Sequence, residues 1–398
     1  MKVLLATAYF ESHRGGIEIV AGRLARELGR SGANVTWLAT DATAPPAAQA
    51  GCGRTVPVAA WNITEQKLGV PMPLPGLRGA GAIWRAVAAS DCVLLHDSLY
   101  LTNVVAMLAA RRFGRPVVLV QHIAAVPYAN PLLRGLMGLA NALIARPMLR
   151  ASDQVVFISD TVVRHFGSLG FQAKPVLIFN GVDTDVFRLP PAGFDRSSCR
   201  RALGLPTGGP LILFVGRFVE KKGLHVIERL ARARPELTFA LAGWGPIDPA
   251  AWGLPNVHVL STLQGASLAP LYQASDVFIL PSVGEGLPLV LQEALACGRP
   301  VICGAETATA DPAARGMIEG VAIDGADADK TAAAFAAKID HILAREAGAD
   351  VTVAAMARHA YVQTHYSWTE AARSYMAIMS RLVGGKANVV GQPTTKAL

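Results

Sequence analysis

Two glutamates bracket a glycine-rich turn and the apolar run that follows it. Residues 281–302 read PSVGEGLPLVLQEALACGRPVI, with Glu285 in the turn and Glu293 eight residues later. Eight residues span slightly more than two helical turns, so one carboxylate sits at the mouth of the turn and the other faces the same side deeper along the helix. Its first amide groups suit a phosphate, whereas the carboxylates suit hydroxyl groups that donate hydrogen bonds. The pattern predicts a nucleotide-sugar site, and a helix with a solvated glutamate face is the alternative.

A basic turn follows an apolar run near the middle of the chain. The segment 211–224 reads LILFVGRFVEKKGL, in which Arg217 and Lys222 come after a predicted strand. Ligands collect at the carboxyl ends of strands in a parallel sheet. A guanidinium and an ammonium group in that position neutralise a diphosphate leaving group. The alternative is a solvated basic turn, with Lys221 as its solvated member.

A pair of glycines follows the first predicted strand. Gly15 and Gly16 let the backbone approach a ligand closely, although a simple tight turn is the alternative. The pair is not the G-x-G-x-x-G turn of a dinucleotide fold, because Ala6, Ala8 and Phe10 occupy the region where that motif would begin. The sequence therefore lacks the motif that would be the main support for a dehydrogenase function.

The excess positive charge is concentrated in the first half of the chain. Residues 1–183 contain 17 Lys and Arg against 10 Asp and Glu, whereas residues 184–398 contain 20 against 19. The basic residues lack the aromatic interleaving and zinc-finger spacing of nucleic-acid-binding proteins. Residues 131–150 combine apolar side chains with three arginines and no acidic residue. Such a helix rests on an anionic membrane or is an ordinary buried helix with exposed arginines, and general solubility also explains excess arginine.

Membrane-spanning and disulfide-rich classes are disfavoured. The most apolar uncharged stretch, 135–145, is shorter than the roughly 20 residues of a spanning helix. The five cysteines are odd in number and form no C-x-x-C pair, which indicates a reducing compartment without structural zinc. They are Cys52, Cys92, Cys199, Cys297 and Cys303. We expect a cytoplasmic protein.

Short apolar runs alternate with alanine- and arginine-rich helical stretches in two series, separated by a join rich in proline and glycine at 189–210. The first series of predicted strands is Val3–Thr7, Val35–Thr40, Cys92–His96, Val117–His122, Gln154–Ser159 and Val176–Asn180. The second is Leu211–Val215, Thr238–Ala242, Val257–Leu260, Val277–Leu280 and Pro300–Cys303. This alternation predicts an α/β protein with two doubly wound parallel sheets, Rossmann-like, facing a cleft.

Taken together, these motifs resemble the GT-B glycosyltransferases of family 4, which take sugars from UDP or GDP donors with retention. The resemblance covers nearly the whole chain. It includes the early glycine pair, FNGVDTDVF at 179–187, the GRxxxKKG turn, GWGP at 243–246, the two-glutamate helix and YSWT at 366–369. Each motif alone is modest, and their combination is specific.

The resemblance implies a role for each matching residue. Arg217 and Lys222 hold the donor diphosphate, Glu293 accepts hydrogen bonds from the ribose, and Glu285 binds hydroxyls of the transferred sugar. Gly15 and Gly16 form a loop over the phosphates. His122, which ends the run VVLVQH, lies near the sugar and shares catalysis with Glu285; a structural histidine is the alternative.

The turn before the two-glutamate helix departs from the family pattern. The frequent EGFG is EGLP here, so Pro288 supplies no N–H group. Contacts from Gly286 and from the amides of Leu289 and Val290 are expected to hold the donor instead. Proline is well placed in a first helical turn, so a helix is still expected here. The departure leaves the identity of the donor sugar undecided.

No metal site or cofactor is predicted. Asp183 and Asp185 form a D-x-D pattern, but they follow Asn-Gly-Val at a strand-to-turn join, where aspartates cap turns, and match the family's interdomain segment. Asp327 and Asp329 lie in an alanine-rich stretch and are a weaker candidate for a metal site than Asp183 and Asp185.

The expected protein is a metal-independent retaining hexosyltransferase. Its domains are predicted at 1–185 for the acceptor and 186–365 for the donor, with a helix at 366–384 crossing back and a flexible tail at 385–398. The partners are a UDP- or GDP-sugar and a glycan or lipid-linked acceptor, with peripheral contact to the inner face of an anionic membrane and no nucleic acid. A nucleotide-sugar epimerase or hydrolase of the same fold, and a non-catalytic partner in glycan assembly, stay open.

Overall fold

The computed structural model describes residues 1–46, 53–62, 72–124, 131–347 and 351–390. The chain forms two compact units. The first unit comprises Met1–Ile123, Tyr128–Phe179 and Trp368–Leu398, and the second comprises Ala124–Pro127 and Asn180–Ser367. The main passage to the second unit follows residue 179, and the return follows residue 367; the sequence-based boundaries stand at 185 and 365.

A parallel sheet forms the centre of the first unit. The strands of this unit are β1 Lys2–Ala6, β2 Asn34–Thr40, β3 Arg54–Val58, β4 Ala60–Trp61, β5 Leu74–Pro75, β6 Cys92–His96, β7 Val117–Gln121, β8 Gln154–Phe157 and β9 Val176–Leu177. β4 and β5 pair antiparallel, and the other seven form the parallel sheet in the order β3-β2-β1-β6-β7-β8-β9. β6, β7 and β8 are buried along their whole length, which explains their continuous apolar runs.

The helices of the first unit cover both faces of this sheet. They are α1 Gly16–Arg30, α2 Leu77–Ala88, α3 Leu101–Arg112, α4 Pro131–Ala140, α5 Arg146–Ala151 and α6 Asp160–Phe166. Crossovers between parallel strands are right-handed. The chain moves one way from β1 to β2 and the other way from β3 through β6 and β7 to β8. The step from β8 to β9 continues in this second direction. α1 therefore lies on one face, and α2, α3, α4, α5 and α6 lie on the opposite face.

The second unit repeats this design around a smaller sheet. Its strands are β10 Leu211–Val215, β11 Thr238–Ala242, β12 Val257–Leu260, β13 Val277–Leu280, β14 Val301–Gly304 and β15 Ile318–Val321, in the order β12-β11-β10-β13-β14-β15. Its helices are α7 Arg196–Ala202, α8 Leu224–Ala233, α9 Ala269–Ala274, α10 Leu289–Ala296, α11 Ala305–Ala308, α12 Ala328–Arg345 and α13 Val351–His365. All of the sheet's strand pairs are parallel. The predicted α/β architecture with two parallel sheets is confirmed.

The last helix, α14 Trp368–Val390, belongs to the first unit. It packs against α1, and Ala372, Tyr375 and Met379 lie in the same buried cluster as Leu24 and Leu28. The helix continues past Gly385, where the sequence predicted a flexible tail, and the rest of that tail lies outside the described residues. None of the helices in the described ranges is long and apolar enough to cross a membrane.

Candidate functional site

The strand order of the second sheet indicates where a ligand would bind, at the carboxyl ends of β10 and β13. Strand order reverses between β10 and β13, because β11 follows on one side of β10 and β13 lies on its other side. Crevices at such a reversal, outside the carboxyl ends of the strands, are where open α/β sheets bind ligands. The basic turn follows β10 and the glutamate turn follows β13, so both predicted motifs flank this position.

The loops after β10 and β11 approach each other closely. The amide of Gly216 donates to Ala242 O at 3.0 Å. A Cβ atom on Gly243 would lie only 1.9 Å from Gly216 O, so no other residue type fits there without moving the backbone. On the same two loops, the Arg217 guanidinium lies 5.0 Å from the centroid of the Trp244 ring, within cation–π range. Trp244 therefore restricts the orientation of an exposed arginine that was predicted to meet the diphosphate.

The loops after β10 and β13 are fixed to each other as well. The amide of Val283 donates to Lys221 O at 3.0 Å. Gly223 has a φ of +73°, and a Cβ atom there would lie 2.0 Å from Pro281 O. Glycine is required on both counts, since other residues are strained at positive φ and any side chain would meet the Pro281 carbonyl. Because Lys222 directly precedes Gly223, this contact also fixes the position of Lys222.

Lys222 and Glu285 form a largely buried ion pair. Their Nζ and Oε1 atoms are 2.9 Å apart and each side chain is 14% exposed, while Lys221 Nζ lies 3.6 Å from the same oxygen. Burial alone raises the pKa of Glu285, but the two ammonium groups outweigh it and hold the pKa below its usual value. Glu285 is thus ionised at neutral pH. Two predicted site residues meet here, and Lys221, predicted as solvated, joins them.

Glu293 lies on α10, about one turn after the helix begins at Leu289. Tyr272 OH donates a hydrogen bond to Glu293 Oε2 at 2.9 Å. Burial, together with the neighbouring carboxylate, raises the pKa of Tyr272 well above its ordinary value, so the phenol keeps its proton and stays a donor. Tyr272 was not predicted, because nothing in its local sequence marks it. It orients the carboxylate that was predicted to accept ribose hydroxyls.

The start of α10 contains the residues that were predicted to contact the donor. Gly284 has a φ of +65°, and Gly286 is buried. Pro288 is the N-cap residue and makes no side-chain cap, so Leu289 and Val290 are the first residues of the helix. Amides in a first helical turn have no partner within the helix. Their direction suits an anion at this end of α10.

The glycine pair of the first unit differs between its two members. Arg14 has a φ of +59°, Gly15 is the N-cap of α1, and Gly16 begins the helix. A Cβ atom on Gly15 would lie 2.1 Å from Glu18 Oε2, whereas nothing lies within 4 Å of one on Gly16. The buried Glu18 carboxylate covers Gly15. Gly16 is therefore the glycine with open space around it.

His122 follows β7 and pairs with His96, the last residue of β6. His96 Nδ1 and His122 Nε2 are 2.9 Å apart, and both rings are buried. Burial lowers the pKa of His122 to about 3 and, together with the neighbouring ring, lowers that of His96 well below its ordinary value. Both rings are neutral at pH 7, with one nitrogen donating to the other. His96 was missed as a partner, although adjacent strand ends were a usable signal.

Asp97, the residue after His96, has a strained backbone conformation. Its φ is +69°, its carboxyl is buried, and burial raises its pKa to about 6 despite hydrogen bonds from neighbouring amides and Gln121. Non-glycine residues with positive φ often mark functional loops. Asp97 was not predicted from the sequence.

Three of the aspartates considered for a metal site make other contacts, and Asp329 is one of them, since its carboxylate accepts from Arg229 Nη1 at 2.8 Å. Asp183 O accepts from the amide of Phe187 at 2.8 Å in a turn, and the Asp327 side chain caps α12 by accepting from the Lys330 amide. In the parts of the chain that the structure describes, no group of three or more His, Cys, Asp or Glu residues is arranged to hold a metal ion.

Family models match both halves of the chain. The model described as Glycosyltransferase Family 4 matches residues 14–186, and the model described as Glycosyl transferases group 1 matches residues 209–345. The first range contains the glycine pair and His122, and the second contains the Lys222–Glu285 pair and Tyr272.

Two curated relatives share one description. A D-inositol 3-phosphate glycosyltransferase of Mycobacterium bovis (strain BCG / Pasteur 1173P2) is 29% identical over 405 residues, covering 93% of this chain and 79% of the relative. The protein of the same description from Mycobacterium leprae (strain Br4923) is also 29% identical, over 77% of this chain and 73% of its own length.

Solved structures share the fold. Sucrose-phosphate synthase from Thermosynechococcus elongatus has a TM-score of 0.78 at 21% identity, covering 97% of this chain and 100% of that one. Anabaena HepE in complex with UDP-glucose has a TM-score of 0.71 at 18% identity, covering 96% and 99%. The predicted GT-B fold class is confirmed.

Proposed function

Because this chain belongs to the family 4 glycosyltransferases of the GT-B fold, we propose that it moves a hexose from a UDP- or GDP-sugar to a glycan or lipid-linked acceptor with retention. The observation that carries the donor site is the buried Lys222–Glu285 pair at the point where strand order reverses. HepE has been solved in complex with UDP and with UDP-glucose, which favours a nucleotide-sugar donor here.

In this proposal, the diphosphate lies between the basic turn and the start of α10. Arg217, Lys222 and the first amides of α10 neutralise its charge, which grows as the bond to the sugar breaks. Glu285 is ionised, so it accepts hydrogen bonds from sugar hydroxyls, and Lys222 beside it balances its charge. Glu293, held by Tyr272, accepts hydrogen bonds from the ribose. No metal ion is required, because these cations supply the countercharge.

The proposed transfer takes place on one face of the sugar. The bond between the anomeric carbon and the phosphate oxygen breaks, and its electron pair leaves with the diphosphate. The acceptor hydroxyl oxygen forms the new bond on the same face, and its proton passes to the departing diphosphate. His122 is neutral and buried, so it takes part as a hydrogen-bonding group rather than as a proton carrier.

The first experiment separates the proposed function from its rivals. Titration calorimetry with UDP and GDP measures nucleotide binding, and product anomers are read by NMR after incubation with UDP- and GDP-hexoses. The acceptor panel includes lipid-linked glycans and, because of the relatives' description, D-inositol 3-phosphate. We expect nucleotide binding and a retained anomeric configuration. Donor turnover without any acceptor favours an epimerase or hydrolase, absence of nucleotide binding favours a non-catalytic partner, and an inverted product refutes the mechanism.

Substitutions of the ion pair test the site. Lys222→Ala and Glu285→Ala are each expected to lower transfer by about 100-fold or more, since each removes a charged group at the reacting centre. Lys338 and Glu319 form a comparable pair 3.3 Å apart in the same unit, so Lys338→Ala and Glu319→Ala serve as matched controls with near-normal rates.

A charge swap distinguishes chemistry from structure. The double variant Lys222→Glu with Glu285→Lys preserves an ion pair but reverses its polarity. If the pair binds the donor, the double variant should recover more of the melting temperature that the single variants lose than of the transfer rate that they lose. Recovery of both to the same extent would show that the pair is only structural.

A further inference from the structure

One face of the first unit's sheet carries an unusual distribution of charge. The helices α2, α3, α4 and α5 lie on this face, and their sequences contain seven arginines and no acidic residue. The helix α6 lies on the same face and adds Asp160, which forms an ion pair with Arg164 of its own helix. All seven arginines of α2 to α5 are exposed, and we call this surface the arginine face. They are Arg78, Arg85, Arg111, Arg112, Arg134, Arg146 and Arg150. The helices of the opposite face, α1 and α14, include acidic residues.

Exposed leucines form a row along α4 and its continuation. Leu132 is 82% exposed, Leu136 is 56%, Leu139 is 55% and Leu143 is 67%. Their spacings of four, three and four residues place them on one side of a helix. This leucine row borders the exposed arginines of the same segment. An apolar row rimmed by cations is the composition of a helix that lies in a membrane interface.

The segment that carries the leucine row is one continuous helical rod with a wider turn inside it. A π-helical turn, Asn141–Ala145, joins α4 to α5. Pro147 follows it and cannot donate an amide hydrogen to the preceding turn, and its ring would crowd the carbonyl of Leu143 in a regular α-helix. The wider turn relieves this conflict. The rod therefore continues to Ala151 and presents leucines and arginines together.

Aromatic side chains extend the apolar surface onto the neighbouring helices. Trp84 of α2 is 36% exposed, Phe113 at the end of α3 is 40% exposed, and their ring centroids are 5.6 Å apart. Arg111 of the same helix reaches Ala151 O at the end of α5 with a 2.6 Å hydrogen bond, which ties the two elements together. Tryptophan is enriched where one end of a side chain is apolar and the other is wet.

We propose that the arginine face docks on an anionic lipid bilayer, with the leucine row inserted at the boundary between headgroups and acyl chains. Guanidinium groups match lipid phosphates in geometry and charge, and the absence of carboxylates on α2 to α5 removes the repulsion that would oppose docking. A docked enzyme meets an acceptor held in the membrane. This last step, which narrows the acceptor to a lipid-linked one, rests on the proposed function.

Vesicle flotation of the full chain tests the docking surface. The protein is mixed with vesicles of phosphatidylcholine alone or with about 30% phosphatidylglycerol, and the bound fraction is measured at low and high salt. We expect binding to the anionic vesicles, weak binding to the neutral ones, and loss of binding as salt screens the charges.

Two sets of variants locate the contact on the arginine face. Leu136→Glu with Leu143→Glu is expected to lower the vesicle partition coefficient about tenfold or more, since apolar insertion is replaced by charge repulsion. Val353→Glu with Met356→Glu is the matched control, because these residues are 65% and 56% exposed on α13 of the second unit. The control is expected to lose much less binding, although it has the same net charge.

The arginines are tested in the same way. Gln substitution of Arg134, Arg146 and Arg150 is expected to lower the partition coefficient by about tenfold or more. Gln substitution of three exposed arginines of the second unit changes the net charge equally and should have a much smaller effect. These control residues are Arg201, Arg232 and Arg315.

Vesicle binding and nucleotide binding together separate the docking surface from the proposed function. Equal binding to neutral and anionic vesicles, or equal loss in test and control variants, overturns the docking surface. A dimer that the leucine variant dissociates, seen by sedimentation without any vesicle binding, overturns it in favour of a second copy of the chain. Vesicle binding without UDP or GDP binding refutes the proposed function and leaves the docking surface intact, and the reverse result refutes only the docking surface.

Discussion

At the scale of residues, the Lys222–Glu285 pair makes two site residues depend on each other. Exposed ion pairs contribute about 0–1 kcal/mol to stability, whereas removing one partner from a buried pair costs about 3–5 kcal/mol because the other charge is left uncompensated. With each side chain 14% exposed, this pair is closer to the buried case. A donor diphosphate that approaches Lys222 therefore also changes the charge balance of Glu285.

The histidine pair of the first unit gives a residue-scale prediction of acid sensitivity. The folded-state pKa of His122 is depressed to about 3, so its contribution to stability is present above the ordinary pKa of about 6.5 and is lost as pH falls towards 3. The substitution His122→Asn should make the free energy of unfolding fall less steeply between pH 6 and pH 4, by up to about 1.4 kcal/mol per pH unit. Urea denaturation across this range measures the slope.

The control for this prediction is the exposed His225, on the other unit. His225→Asn should keep the slope of the unsubstituted protein. Asp97 acts in the opposite direction, since its raised pKa makes the folded state lose stability as pH rises from about 4 to about 6. Equal slopes in the two histidine variants would show that the buried pair does not govern acid sensitivity.

At the scale of elements, the site depends on how closely neighbouring loops approach. Gly223 and Gly204 have similar φ angles of +73° and +70°, but only Gly223 lies against a backbone carbonyl. Gly204→Ala should cost about 1 kcal/mol for the positive φ alone. Gly223→Ala should cost about 3 kcal/mol or more, because a methyl group there displaces Pro281. Differences in urea midpoint measure both costs.

Nucleotide affinity adds a second readout for the same two variants. If the contact between the basic turn and the Pro281 loop positions Lys222, Gly223→Ala should weaken UDP or GDP binding while Gly204→Ala should not. Equal affinities in the two variants would contradict a positioning role for this contact.

Strands were predictable where the sequence has a short, largely apolar run. β10, β11, β12 and β13 have the predicted bounds, since each is a short apolar run between polar or proline-containing segments. β3 and β15 were missed. β3 reads RTVPV at an edge of its sheet and is mostly not buried, so it shows neither a continuous apolar run nor a clean alternation. A proline is tolerated there because an edge strand can leave one side unpaired.

The site residues were predictable in type but not in pairing. Lys222 and Glu285 were each predicted to contact a ligand, whereas the structure shows them in contact with each other. Their proximity follows from the adjacency of β10 and β13, which are not consecutive in the chain. Tyr272 and Lys221 became recognisable only from the packing of α9 and the loops. Local sequence gives residue chemistry, and strand order decides which residues meet.

At the scale of the whole molecule, α14 makes the first unit discontinuous in sequence. Ala372 is fully buried in the core shared with α1, whereas Ala377 of the same helix is exposed. Ala372→Asp should destabilise the first unit by about 3 kcal/mol or more, since it buries an unpaired carboxylate. Ala377→Asp should change stability by about 0.5 kcal/mol or less.

Hydrogen exchange read by mass spectrometry localises this effect. Peptides from β1, β2 and α1 should lose protection in Ala372→Asp, while peptides from β10 to β13 should keep it, because each unit has its own sheet. Loss of protection throughout both units would contradict the division of the chain into two separately stabilised bodies.

The position of α14 also determines the order in which the chain can mature on the ribosome. Translation supplies β1 to β9 before α14, so the apolar side chains of α1 that pack against α14 have no cover until that helix has been made. The second unit, being continuous apart from a short stretch, can complete itself earlier. The first unit therefore lacks this helix while residues 180–367 are being synthesised, and nascent-chain chaperones would find the apolar surface beside α1 exposed during that interval.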